Sequence, residues 1–151
     1  MRELAYKLFE DYDSLLFEQA DHFVWSPSRK TIKYDEDAIN KIDGIWSLLH
    51  ELGHAKLNHT NYRDDLHLLI MEVQAWAEAK KLAKTYGISI DDKHIENCLD
   101  SYRDWLHARS KCMDCQTVSM QIDATTYRCH NCFCKWRVPA SKTCKVRKYR
   151  I

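Results

Sequence analysis

The sequence predicts an α+β chain, mainly helical, with a small cysteine-rich β module toward its C-terminal side. Three observations carry that expectation. Apolar residues recur at helical spacing through most of the chain up to Ser110, only 3 Gly and 2 Pro interrupt the 151 residues, and two Cys-x-x-Cys pairs sit among β-type residues beyond Lys111. Charge divides along the same line. Residues 1–110 carry 14 Lys and Arg against 20 Asp and Glu, a net of −6, whereas residues 111–151 carry 9 against 2, a net of +7. The expected division is therefore 1–109 as a main domain, 110–139 as the cysteine module and 140–151 as a basic tail.

Leu4, Leu8, Tyr12, Leu15, Leu16 and Phe17 fall at helical spacing and predict an opening helix over about residues 3–21. Phe23-Val24-Trp25 and Thr31-Ile32-Lys33-Tyr34, separated by the turn signal Ser26-Pro27-Ser28, read as two short strands of a hairpin. A second helix is expected from about Ala38 through His59, with Ile42, Ile45, Trp46, Leu49, Leu52 and Gly53 on its apolar side. After the polar break Thr60-Asn61-Tyr62-Arg63, a third helix should reach Tyr86, where Gly87 supplies a C-terminal cap. A fourth begins at Asp91 or Asp92, acids suited to a helix N-terminus, and runs to about Arg109.

The second helix contains His50-Glu51-Leu52-Gly53-His54. Two His four residues apart project from one helix face, about a turn from each other, and can chelate a single ion. Glu51 lies about 100° around from His50, outside the ligand set but near a water on the metal. Zinc eases the loss of a proton from such a water, and a carboxylate so placed is a general base. Gly53 permits close approach by another element. A catalytic zinc needs a third protein ligand, and the third helix offers Glu72 and Glu78. Glu72 shares a face with Leu68, Leu69, Ala75, Trp76 and Ala79, where a carboxylate without a partner would suffer desolvation. Glu78 falls beside Gln74, Lys81 and Thr85, the pattern of a solvated acid. His59 is the competing ligand, but Leu57 and Thr60 stand where a metzincin has Gly and His, so it reads as a helix-end or supporting residue. Tyr62 and His67 are the candidates to stabilise a developing oxyanion.

Cys112-x-x-Cys115 and Cys129-x-x-Cys132, joined by a stretch that suits a β-hairpin, have the spacing of two knuckles holding one structural zinc through four thiolates. Two Zn²⁺ per chain follow, one catalytic and one structural. Cys98, Cys134 and Cys144 are left without a metal. Lys135, Arg137, Lys142, Lys145, Arg147, Lys148 and Arg150, interleaved with Trp136 and Tyr149, could contact nucleic acid, basic groups on phosphates and rings on bases; a solvated tail is the plainer reading of such a run. No apolar run approaches the roughly 20 residues of a membrane span. The N-terminal residues lack a secretion-type apolar stretch, which predicts a cytoplasmic location.

Leu48-Leu49-His50-Glu51-Leu52-Gly53-His54-Ala55-Lys56-Leu57-Asn58-His59, followed by Met71-Glu72-Val73-Gln74-Ala75-Trp76-Ala77, resembles the core of ImmA/IrrE-like metallopeptidases over about residues 30–86. That resemblance implies a minimal gluzincin-like peptidase with a His, His and Glu zinc site and an intracellular protein substrate, DNA-bound repressors being those of its characterised members. The order of HExxH helix and zinc ribbon is also similar to the plan of SprT-like DNA-associated proteases, whose third zinc ligand is a His. The reading from a different class is a zinc-binding nucleic-acid adaptor without catalysis.

Overall fold

The computed structural model describes residues 1–139 and 146–151 and is α+β, with four helices and two small sheets among them. Lys142, Cys144 and Lys145 of the expected basic tail lie outside the described residues. None of the described helices is long and apolar enough to cross a membrane. The chain divides into two compact units, one made of Met1–Thr60 and Met71–Asp92, the other of Asn61–Ile70 and Lys93–Ile151.

In the first unit, helix α1 spans Arg2–Asp11 and a three-stranded sheet follows: β1 (Leu16–Ala20), β2 (Val24–Ser26) and β3 (Thr31–Asp35), in the order β1-β3-β2. The opening helix is thus shorter than the sequence predicts, because Leu16 and Phe17 belong to a strand. Leu15 N–H closes a turn on Tyr12 O (2.9 Å), Leu16 N–H bonds Lys30 O (2.9 Å), and β1 then runs parallel to β3 from Leu16↔Thr31 to Ala20↔Asp35. Phe17 still reaches α1, stacking at 4.4 Å on Phe9, which also meets Tyr34 at 4.8 Å. Ladder bonds to a strand beyond the next turn override the local helical spacing. The expected hairpin is present, β2 pairing antiparallel with β3 from Val24↔Lys33 to Ser26↔Thr31.

The helix expected over 38–59 is also broken. A single 3-10 turn at Ala38–Asn40 precedes α2 (Ile42–Lys56), with Lys41 extended between them. Asp35 Oδ1 accepts the Asp37 and Ala38 amides (both 2.9 Å), bending the chain so that Ala38 lies across the first turn of α2. Gly44 makes this crossing feasible, since a Cβ there would fall 2.1 Å from Ala38 O. At the other end, Asn58 adopts φ +53°, and the Asn58 and His59 amides bond Ala55 O (3.1 Å) and His54 O (3.0 Å). That pair of bonds is a Schellman motif, which folds His59 back over the last turn of α2. Helix α3 (Asp65–Thr85) ends in the same way, with Gly87 at φ +69° and Ile88 N–H on Ala83 O (3.1 Å), as the sequence predicts.

Gly53 has the largest consequence for the site. A Cβ on it would lie 2.5 Å from Ala75 O, so α2 and α3 touch backbone to backbone beside the His pair. Gly53→Ala removes a poor helix former, a gain of about 1 kcal/mol, but over-packs this contact at a cost of roughly 1–3 kcal/mol. Thermal unfolding should show a net loss of up to about 2 kcal/mol, a melting point lower by up to about 8 °C, together with weaker zinc binding at the His residues. A raised melting point with unchanged zinc affinity would refute the contact.

In the second unit, α4 (Asp92–Ser110, from Lys93 onward) and the first turn of α3 accompany a sheet of β4 (Met120–Gln121), β5 (Thr126–Arg128), β6 (Lys135–Arg137) and β7 (Tyr149–Arg150), all antiparallel in that order. Its core is Cys112, Tyr127, Cys129, Cys134, Trp136 and Val138. Trp136 stacks on Tyr127 at 5.5 Å and donates from Nε1 to Arg109 O (3.0 Å), so its ring is enclosed rather than offered for stacking on a base. Arg109 is fully buried, its guanidinium 4.3 Å from the centre of the Trp105 ring and 3.6 Å from Asp65. Tyr127 Oη also bonds Asp65, whose burial pushes its carboxyl up to about 6 despite Arg109.

Candidate metal centres

Helix α2 presents His50 and His54 on one face, and α3 brings Glu72 against them. All three are buried, with 7, 8 and 5% exposure. His50 Nε2 and His54 Nε2 are 3.0 Å apart, Glu72 Oε2 is 3.1 Å from His50 Nε2, and Glu72 Oε1 is 3.6 Å from His54 Nε2. Ligands about 2.0–2.1 Å from a tetrahedral zinc stand roughly 3.3–3.4 Å from one another. The three donors therefore have the spacing, and the two-imidazole, one-carboxylate chemistry, that zinc takes, and among the described residues no fourth His, Cys, Asp or Glu joins the group.

The surroundings orient these donors. His54 Nδ1 lies 2.8 Å from His59 Nδ1, the contact created by the Schellman turn. Burial holds His59 below the ordinary histidine range, so its Nδ1 is suited to accept the His54 Nδ1 proton and keep His54 Nε2 free for a metal. The His50 ring lies against Trp76 at 4.3 Å, while its buried Nδ1 meets no hydrogen-bond partner. With no metal, burial works to lower the His54 pKa, but hydrogen bonding and charge from Glu72, with Glu51 beyond, raise it overall. Burial likewise opposes ionisation of Glu72, and the hydrogen bonds from His50 and His54 prevail, bringing its carboxyl down to about 2. Protons thus compete with a metal for His54 Nε2, and metal affinity falls as the solution becomes more acid.

Glu51 stands beside this cluster, outside the group of donors. Its Oε2 accepts the Trp25 amide of β2 at 2.7 Å, and Trp25 Nε1 donates to His59 O at 2.9 Å. One residue of the hairpin thereby holds both the candidate base and the turn carrying His59. Glu78 departs from the sequence expectation. It is buried rather than solvated, because Lys56 of α2 covers it (2.7 Å) in addition to the foreseen Lys81 (2.8 Å), and these two bonds hold its carboxyl below the usual range. Tyr62 and His67 belong to the second unit, where His67 Nδ1 accepts the Arg63 amide (3.1 Å). A cavity of about 360 Å³ is lined by Tyr12, Leu15, Trp25, Leu52 and Ala55 among others, but by none of the three donors.

Cys112, Cys115, Cys129 and Cys132 bring their sulfurs within 4.8 Å of one another, with Cys112 3.4 Å from Cys132 and Cys115 3.5 Å from Cys129. These separations are far beyond the roughly 2.05 Å of a disulfide. The Asp114 and Asn131 amides point at the Cys112 and Cys129 sulfurs (both 3.4 Å), bonds that stabilise thiolates in a knuckle. Hydrogen bonds from Thr117 bring Cys115 down to about 5. Cys132 is pushed up to about 12: its bond with the Cys134 backbone works the other way, and burial and the neighbouring sulfurs outweigh it. Four sulfurs so close need a cation before all can ionise. Cys134 is buried outside the group, its Sγ 3.9 Å from Lys135 O, and Cys98 lies 3.7 Å from His94 Nε2 on α4. Two groups that could hold a metal ion, both compatible with zinc, are therefore present among the described residues.

Comparison with known protein families, curated proteins and solved structures finds no match.

Proposed function

We propose that this chain is a zinc metallopeptidase of the HExxH type, cleaving peptide bonds in a protein substrate, with His50, His54 and Glu72 as zinc ligands and Glu51 as general base. The observation that carries the reading is the convergence of two imidazoles and one carboxylate at 3.0–3.6 Å beside a glutamate anchored outside their group. The ImmA/IrrE-like pattern of residues 48–59 and 71–77 supports the same assignment. Zinc at this site supplies Lewis acidity, polarising an oxygen and easing proton loss from water.

The remaining chemistry falls to the chain. Glu51 takes the proton of the attacking water and delivers it to the departing amine. Trp25 N–H fixes one carboxylate oxygen of Glu51 and leaves the other for that transfer. His59 and Trp76 hold the two imidazoles in register. Glu51→Gln keeps the size of the side chain and the Trp25 contact but removes the base. Hydrolysis of a fluorescent casein derivative should fall by about 10²–10⁴-fold, the usual contribution of general base catalysis, with zinc content unchanged. Equal turnover by the two proteins would reject the peptidase reading.

A further inference from the structure

We infer that the outer face of the β4-β5-β6-β7 sheet binds single-stranded nucleic acid, with Arg128, Lys135 and Arg137 on phosphates and Phe133 and Tyr149 stacking on bases. The inference goes beyond peptide hydrolysis and does not depend on it. Residues directly opposite in an antiparallel ladder point to the same side. Arg128 pairs with Lys135, and Arg137 with Tyr149, while Tyr127 and Trp136 alternate with them and fill the buried side. Three cations therefore share one exposed face at strand spacing, about 5–7 Å between neighbours.

Among the described residues, Arg128, Lys135 and Arg137 take part in no ion pair. Of the two acidic side chains in residues 111–151, Asp114 pairs with Arg150 and Asp123 accepts the Thr125 and Thr126 amides. Two aromatic rings flank the cations. Phe133 is 64% exposed and lies 5.4 Å from the Arg128 guanidinium, and Tyr149 is 54% exposed beside Arg137. Phe133 also sits at φ +60°, the knuckle position that follows Cys132, as Gln116 at φ +61° follows Cys115. Gly or Asn fits such a backbone at lower cost, and water disfavours the bare ring. The φ belongs to the knuckle turn, as at Gln116, and a stacking partner accounts for the exposed ring. Planar rings set among unpaired cations match a backbone of phosphates with splayed bases, whereas the bases of a duplex are already stacked on each other.

Anisotropy of a labelled strand of about 20 deoxythymidines, titrated with the full zinc-loaded chain, tests this; the length exceeds the roughly 4–16 nucleotides of common single-strand sites. The strand should bind more tightly than a blunt duplex of equal length, with a log–log salt slope near about −2 for three phosphates neutralised. Arg128→Ala, Lys135→Ala and Arg137→Ala combined should flatten that slope and weaken binding at least about tenfold. Phe133→Ala and Tyr149→Ala should each weaken it about tenfold with the slope kept. Tyr149 lies outside the knuckles, so its variant reports on stacking even where Phe133→Ala disturbs the cysteine site. Lys84→Ala, at an exposed lysine in the last turn of α3 and so in the first unit, and Glu51→Gln should bind as the unaltered chain does, which separates failure here from failure of the peptidase reading. Absent binding, equal affinity for duplex, indifference to the triple variant, or preference for phosphatidylserine vesicles over the strand would each overturn the inference.

Discussion

Glu72→Gln is expected to reduce the zinc content of the purified chain from two ions to one and to abolish peptidase activity. The carboxylate is buried, ionised and in contact with both imidazoles. An amide of the same size loses the charge that offsets a dication and replaces one of the two oxygens that face the ring nitrogens with an NH2 donor. Removing one partner from a buried charged group costs about 3–5 kcal/mol, and a metal affinity lowered by that much does not survive dialysis against a chelator. Combined His50→Ala and His54→Ala should give the same count. Glu78→Gln should keep both ions: Glu78 is buried as well, but its partners Lys56 and Lys81 reach it from the solvent side, so the loss is about 0.2–1 kcal/mol of stability for each pair. His59→Ala should also retain the metal, with affinity about 10–100-fold weaker, since His59 acts through the His54 Nδ1 proton. Zinc counts on the four proteins decide the matter. If His59→Ala loses the ion while Glu72→Gln keeps it, the ligand set is three histidines and the ImmA/IrrE-like assignment falls.

What could be read from the sequence, and what could not, follows the range of the interactions. The His50–His54 pair and the placement of Glu72 on the face shared by Leu68, Ala75 and Trp76 are consequences of helical phase, a local property, and the three donors do meet. The two knuckles are equally local, each set by a Cys-x-x-Cys spacing and a backbone turn. Gly87 as a cap needed only its own φ. The misjudged features are those that another part of the chain decides. Leu16 and Phe17 fit a helix until β3 offers them a ladder. Ala38 and His59 fit the ends of α2 until Gly44 admits the first as a crossing turn and Asn58 reverses the chain before the second. Glu78 looked solvated because Lys56, on the preceding helix, was not yet beside it. The same holds for what was missed near the site. Trp76 is one turn beyond Glu72 and could have been read from spacing as a neighbour of the His pair. Nothing in the sequence signals that the Trp25 amide would meet Glu51.

Cys112→Ser should unfold the cysteine module and leave the His and Glu site loaded. The module spans about 30 residues, too few to bury an adequate core. What core it has, Cys112, Tyr127, Cys129, Cys134, Trp136 and Val138, includes two of the proposed ligands themselves. Zinc held by four thiolates supplies on the order of 10 kcal/mol to the folding of such a unit, more than the stacking of Trp136 on Tyr127 and its bond to Arg109 O can replace. A serine hydroxyl does not ionise at neutral pH, so the variant loses a ligand and the charge that gathers the other three sulfurs. Zinc content should drop from two to one, Trp136 fluorescence should shift to the red as the ring meets water, and amide signals of residues 112–138 should collapse toward random-coil positions. Signals from α2 should persist, because His50, His54 and Glu72 all lie in the first unit. Retention of two zinc ions by Cys112→Ser, with the dispersed spectrum of 112–138 intact, would show that this fold stands on its packing and that the four cysteines are not its metal site.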